Sequence, residues 1–477
     1  MEDLRSWATA VLLGFFSLFI MKLFAYHQIK PILPPSPMAF PLLGHLHLIG
    51  SNVHQSLHKL STGLGPLFHI RLGSVPLLVA SDAATARELL RDHEHSFPDS
   101  FLFAPYSDYW WFMKKLCLSE LLGGRRLVQL QWVRQDEIGR FLEMLRQKAE
   151  RREEVDVGAE LTRLTNNVIC GMTMGRRCSG TDGEAEQVRR IVKETMEKLD
   201  LQHLKARYEN VHRRFDSLME RILEEEVLRT KESGKIGADG AVRYLLRVLL
   251  DIAEDEGAKM RLTRDNIKGF IHDLFMAGTD TTSVTMEWAL AELINNPAVL
   301  QNARREIDSV VGVSRLVEES DIPNLPFLQA IVKETLRLHP AIPILPRQSN
   351  APLKFRGYDI PAGTWIAIHV WEIGRDPIHW ENPLEFRPER FSAKGRSFGV
   401  DRRCPGISLA LQLIHTTLAN VIHCFDLSVE GGVVDMTEGH GVSLPKAHPL
   451  VCIPKVRLTP LLSRSAISTS NPDEASC

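Results

Sequence analysis

Phe398-Gly399-Val400-Asp401-Arg402-Arg403-Cys404-Pro405-Gly406 is a short basic loop carrying one cysteine, and it runs straight into the apolar stretch Ile407-Ser408-Leu409-Ala410-Leu411. Pro-Gly followed by an apolar run reads as a turn opening a helix. A thiolate placed there has cations before it and a helix N-terminus after it, whose unpaired N–H groups stabilise negative sulfur. An axial haem-iron ligand requires that environment, and arginines at this position reach haem propionates. The loop alone is equally compatible with an ordinary buried thiol in an ordinary turn, so the rest of the chain decides.

The chain has 477 residues, 44% hydrophobic and 24% charged, which is enough apolar content to bury a large core and excludes a disordered or low-complexity class. A formal net charge of -2 gives no general attraction to polyanions, and nucleic acid is not an expected partner. The seven cysteines are scattered and include no C-x-x-C pair, which argues against a disulfide framework or a zinc knuckle and fits a reducing compartment.

The N-terminus departs from the soluble pattern. Trp7 to Tyr26 reads WATAVLLGFFSLFIMKLFAY, close to the ~20 apolar residues that span a bilayer. Only Lys22 interrupts it, and a lysine can snorkel. No small-x-small cleavage site follows, and Lys22 and Lys30 outweigh the single Arg5 before the span. Residues 1–30 therefore read as a single-pass membrane anchor with the body on the cytosolic side. Pro31-Ile32-Leu33-Pro34-Pro35-Ser36-Pro37 and Pro41 form a stiff hinge over 31–41, and 42–477 is the catalytic body.

In that body helices outnumber strands, giving a mainly α fold with small β-sheets. Leu67–Leu72 and Val75–Ala80 around Gly73-Ser74 read as a hairpin, with Ser81 capping a helix from Ala83 to Arg91. Amphipathic helices are expected over Val128–Glu150, Gln187–Lys198, Tyr208–Lys231 and Asn266–Asn295. Further strands are expected at Leu353–Tyr358 and Trp365–Val370, with a turn at Pro361-Ala362-Gly363.

Three more stretches carry chemistry. Phe275-Met276-Ala277-Gly278-Thr279-Asp280-Thr281-Thr282 lies mid-helix, where the glycine costs about 1 kcal/mol of helix stability. Ala277, Asp280 and Thr281 fall at i, i+3 and i+4 on one face, so an acid and an alcohol there can relay protons into an enclosed site, and Gly278 admits a flat ligand close to the backbone. The bland alternative is a surface helix with a threonine bonded back to its own backbone. Lys333-Glu334-Thr335-Leu336-Arg337 puts Glu334 and Arg337 at i and i+3, by itself an ordinary surface pair. Phe386-Arg387-Pro388-Glu389-Arg390-Phe391 offers a further arginine that would bridge a buried carboxylate.

These stretches in this order resemble the cytochrome P-450 superfamily of haem-thiolate monooxygenases, from Met1 to about Leu458, and within it the plant microsomal enzymes. Leu290–Pro297, Phe101–Tyr106 and Gly441–Leu450 are most similar to flavone synthase II and flavanone 2-hydroxylase. The resemblance implies haem b ligated by Cys404, protons delivered through Asp280 and Thr281, and a structural triad of Glu334, Arg337 and Arg390. It implies Trp110, Lys114, Arg347 and Arg402 at the propionates, with Lys114 standing where the family more often has arginine. Thr279, Ile344, Leu345, Val442 and Ser443 become candidate contacts for a small, flat, hydrophobic aromatic substrate, a flavanone. The implied setting is the endoplasmic reticulum membrane, beside an NADPH-cytochrome P-450 reductase that supplies electrons from NADPH. Thr281-Thr282 favours the flavone-forming side.

The same comparison shows departures. Asp401 stands where the family has glycine, and one residue is missing between the paired arginines and Cys404. The connections at Phe391–Phe398, Phe97–Phe101 and Leu199–Tyr208 are short. They keep open a haem-deficient, non-catalytic paralogue or truncated gene product; a haem-thiolate isomerase or dehydratase that needs no reductase is disfavoured by the presence of both Asp280 and Thr281.

Overall fold

The computed structural model describes residues 32–92, 108–177, 204–232, 244–257, 260–391 and 404–458. The expected anchor, the Gln187–Lys198 helix and most of the cysteine loop, Arg402 included, lie outside them. The described residues fall into two compact units, one made of segments 32–48, 57–92 and 346–368, the other of the remainder.

In the first unit the hairpin Leu67–Leu72/Val75–Ala80 forms as expected, with Leu67 opposite Ala80 and Leu72 opposite Val75. Val75–Ala80 then pairs in parallel with Trp365–Ile368, and Leu345–Gln348 completes a four-stranded sheet. The Ala83–Asp92 helix is capped by Asp82 and not by Ser81: Asp82 Oδ1 accepts from the Ala84 and Thr85 amides at 2.8 Å, while Ser81 Oγ donates to the Pro66 carbonyl. A carboxylate next to the first turn also suits the helix dipole better than a hydroxyl one residue further away. Leu353–Tyr358, expected as one strand, breaks into the hairpin Leu353–Phe355/Tyr358–Ile360, because Arg356 and Gly357 both take positive φ (49° and 83°).

The second unit is built on a 32-residue helix, Arg264–Asn295, hereafter the central helix. Thr263 and Asn266 close a capping box at its start: Thr263 Oγ1 accepts from the Asn266 amide at 3.1 Å, and Asn266 Oδ1 from the Thr263 amide at 3.0 Å. It was expected to be amphipathic. Instead it is buried on all sides from Thr282 to Leu293, as a helix must be when neighbours surround it. The flanking helix Val157–Met174 packs along it, and so does the apolar helix Ile407–Cys424 that follows Cys404. That last helix is long and apolar enough to cross a membrane, but it is mostly buried in the core. The expected Val128–Glu150 helix starts later, at Gln131, after a short separate helix Gly124–Gln129; Leu204–Glu232 forms in place of Tyr208–Lys231.

Candidate functional site

Cys404 is exposed, immediately before the helix Ile407–Cys424, whose Gly406 N-cap carries no side-chain cap among the described residues. The Ile407 amide donates to the Cys404 carbonyl at 3.3 Å, and the positive end of the helix favours a negative group next to it. Cys117, Cys424 and Cys452 are different: each is buried, and burial pushes its thiol up to about 12. Cys170 is disulfide-bonded, against the expectation from spacing. Among the described cysteines Cys404 alone combines exposure with a helix N-terminus, and it is not the ordinary buried thiol that the loop also allowed.

The central helix supplies the opposing feature. Ala277 is exposed and Thr281 half-buried, one turn apart on the same face, although Phe275, Met276, Thr279 and Thr282 around them are buried. A helix in the heart of the core thus opens at the acid–alcohol pair. Thr281 Oγ1 donates to the Ala277 carbonyl at 2.6 Å, the back-bond that was the bland alternative, which leaves its oxygen lone pairs to accept from a ligand. Asp280 is half-buried, and its carbonyl accepts from Ser283 Oγ at 3.1 Å. An exposed thiol at a helix start and an open stretch of core helix with an acid and an alcohol form a donor set that fits haem held by Cys404.

Gly278 serves a different end from the one expected. A Cβ there would lie 2.7 Å from Ile169 Cδ1, so the glycine lets the flanking helix approach and does not face a ligand. Thr279 also belongs to this seam: it is wholly buried and its carbonyl accepts from Thr165 Oγ1 at 3.0 Å, so it is closed to substrate in this structure. Ser443 is likewise buried, whereas Val442 is 43% exposed and Ile344 and Leu345 are half-buried. The Val442 segment is held in place by Trp288 Nε1 donating to the Leu444 carbonyl at 2.7 Å and by the Leu444 amide donating to Ala341 at 2.9 Å.

Glu334 and Arg337 are both fully buried and joined by two bonds of 2.7 Å, and Arg390 Nε reaches Glu334 Oε1 at 3.2 Å. The same oxygen accepts from the Arg387 amide at 2.8 Å, while Arg337 donates to the carbonyls of Gly374, Pro383 and Glu385. A pair that looked like surface decoration is a clamp binding the helix Pro326–Leu338 to the irregular segment 374–390. Trp110 is buried on the helix Asp108–Cys117, with Lys114 Nζ 4.5 Å above its ring. Arg347 lies in the first unit, Nη1 donating to the Pro346 carbonyl.

Sequence reasoning passed over three carboxylates. Asp273 stands one turn before Ala277 on the same face, half-buried and without a hydrogen bond or ion pair among the described residues; burial pushes it up to about 7. Glu287, two turns after Asp280, is buried inside an apolar run. Glu438 takes hydrogen bonds from Trp371 Nε1 at 2.7 Å and Arg375 at 3.0 Å, and faces His54 at 2.9 Å. It lines, with His339 and Arg375, a cleft of about 620 Å³. Charges inside apolar stretches were the available signal for Asp273 and Glu287.

A mainly α fold with an exposed thiol at a helix start and an acid–alcohol pair on an opened core helix is the set of features a haem-thiolate enzyme needs. The family model of cytochrome P-450 matches residues 34–453, and the chain belongs to that family. Cytochrome P-450 93A3 of Glycine max is 47% identical, with 90% of this chain and 94% of the relative covered. The 3,9-dihydroxypterocarpan 6A-monooxygenase of Glycine max is 44% identical (91% and 95%), and cytochrome P-450 93B2 of Gerbera hybrida 45% (89% and 92%). Among solved structures a zebra fish cytochrome P-450 determined with abiraterone has a TM-score of 0.72 at 27% identity, covering 85% of this chain and 99% of that one. The protein is a cytochrome P-450 monooxygenase, its cofactor a haem with cysteine-thiolate ligation.

Proposed function

We propose that this monooxygenase inserts one oxygen atom from O2 into a flavonoid-type substrate, a flavanone, with Cys404 as the axial ligand and Asp280 and Thr281 as the proton source. The haem, when bound, supplies dioxygen activation driven by electron donation from sulfur. The chain's own part is to hold the thiolate at a helix start, to keep a protonatable pair on the open face of the central helix, and to fix the substrate. Trp110, Lys114, Arg347 and Arg402 are the proposed propionate partners, and Glu334, Arg337 and Arg390 the supporting clamp.

The observation that carries the substrate reading is the open face itself. It is apolar at Ala277, and Asp273, a turn away, has no hydrogen bond or ion pair among the described residues. A flat aromatic skeleton with a phenolic hydroxyl satisfies both. The relatives support this in part: the 44%-identical enzyme is named as a 3,9-dihydroxypterocarpan 6A-monooxygenase, whereas one at 39% is named as a β-amyrin 24-hydroxylase. Trp7–Tyr26 is the proposed anchor in the endoplasmic reticulum membrane, with a co-resident NADPH-cytochrome P-450 reductase as electron donor. Ile32, Met38, Phe40 and Leu42 are all exposed, which suits a body resting on lipid.

The test is turnover of the full chain with the reductase in vesicles, offering NADPH with a naringenin-like flavanone, a dihydroxypterocarpan and β-amyrin in separate reactions. Oxidation of the flavanone supports the proposal; oxidation of the pterocarpan alone moves the substrate to that ring system, and oxidation of β-amyrin alone overturns the flavonoid reading. Asp273→Ala is expected to raise KM for the phenolic substrate by about fivefold, the worth of one hydrogen bond, with kcat little changed.

A further inference from the structure

Glu287 is the one charge in the stretch Val284–Ala291 of the central helix. It stands seven residues after Asp280, and therefore near the same helix face, two turns nearer the C-terminus. Its carboxylate lies against Gly158 of the flanking helix: a Cβ on that glycine would sit 2.7 to 2.9 Å from Oε1, Cδ and Oε2. The flanking helix thus has a notch cut for this group. Oε1 accepts from the buried Leu450 amide at 3.1 Å, its one hydrogen bond among the described residues.

Hydroxyls continue from the notch toward Asp280. Thr162 Oγ1, half-buried, lies 2.9 Å from the carbonyl of the same Gly158 and 3.3 Å from Ser283 Oγ, which in turn bonds the Asp280 carbonyl at 3.1 Å. At the other end stands Asp156, exposed at the N-cap of the flanking helix. Two helices that pack mainly through apolar groups therefore carry hydroxyls between them, from Gly158 beside Glu287 to the main chain of Asp280.

We propose that Glu287 is a positioning residue for proton delivery: it takes a proton from solvent at the Asp156 edge and passes it, through Thr162, Ser283 and intervening water, to the Asp280 carboxylate. No electron moves; Glu287 returns to the carboxylate and is reprotonated by water. The groups facing Glu287 are Lys446 from the 441–450 segment, Asp156, Asp280 and Cys452 of the strand Val451–Val456. Burial raises its proton affinity, the Leu450 amide and Lys446 lower it, and Asp156 and Asp280 raise it, leaving it at about 6, poised for exchange near neutrality. The proposal rests on Asp280 serving as the proton source.

The experiment compares Glu287→Gln, Thr162→Val and Asp280→Asn in the haem-loaded full chain. Glu287→Gln keeps an acceptor for Leu450 and is expected to retain the reduced carbon monoxide spectrum and substrate affinity. Product formed per NADPH is expected to fall on the order of tenfold, short of the 10²–10⁴ of a directly acting acid, with a larger solvent isotope effect and no activity limb near pH 6. Thr162→Val is expected to lose the same coupling. A measurement without turnover completes it: the Tm of Glu287→Gln minus that of the parent grows from about pH 4.5 to about 6 and is level above, because the parent loses stability as its buried carboxyl ionises. Unchanged coupling in Glu287→Gln and Thr162→Val with lost coupling in Asp280→Asn overturns the proposal and leaves the Asp280 reading intact. Unchanged coupling in all three overturns both, and a Tm difference flat with pH overturns the titration of Glu287.

Discussion

Glu334 shows how much a single buried charge commits its neighbours. Both its oxygens are taken up by Arg337, and one of them also by Arg390 and the Arg387 amide. Removing the charge leaves Arg337 desolvated without a counterion, and breaking a buried pair in this way costs about 3–5 kcal/mol. Glu334→Gln is therefore expected to lower the unfolding free energy from denaturant titration by that amount and to lose haem on purification; an unfolding free energy within about 1 kcal/mol of the parent contradicts a clamp. The spacing Glu334–Arg337 was legible in the sequence by itself, but its burial was expected only through the resemblance. Whether an i,i+3 pair faces water or core depends on what packs over it, and the covering carbonyls of Gly374, Pro383 and Glu385 come from a segment with no periodic signal. The burial of Thr279 depends in the same way on what packs over it, here the flanking helix.

At the scale of elements the seam between the central and flanking helices is set by Gly278 against Ile169. Gly278→Ala gains about 1 kcal/mol in helix propensity but forces a Cβ into Ile169 Cδ1, an overpacking cost of about 1–3 kcal/mol. The single variant is expected to melt slightly lower than the parent. Ile169→Val removes Cδ1, so the double variant should be more stable than the two single effects add up to, by about 1 kcal/mol. Additive effects would show that the two residues do not meet. The glycine's position mid-helix was read from the sequence and its cost was rightly taken to need an offset; that offset turned out to be helix packing. Helix starts were read less exactly: the Thr263 cap was not singled out and Ser81 was taken for Asp82, while the Arg356-Gly357 turn was missed because arginine gives no warning of a positive φ.

Across the whole molecule the acid limit of stability follows from groups with opposed shifts. Burial works to raise Glu438, but hydrogen bonds from His54 and Trp371 and the charge of Arg375 hold it down to about 2. Its stabilisation is complete above the unfolded value near 4.5 and is lost as pH falls from there toward 2. Glu438→Gln is expected to be less stable than the parent at pH 7 and to converge with it below pH 3 in thermal melts; parallel curves contradict the shift. Fold class and the order of the chemical stretches were legible because each depends on local pattern. The division into two units and the buried network of Glu438, Arg375 and His54 were not, since residues far apart in sequence build them.

The central claim is that Cys404, at the start of an uncapped helix, holds the haem of a cytochrome P-450 monooxygenase. It is tested most directly by expressing the 477-residue chain and its Cys404→Ser variant, reducing each and adding carbon monoxide. The account predicts the thiolate-type Soret band in the parent and its loss in the variant. No haem uptake by the parent, or an unchanged band in Cys404→Ser, would contradict it.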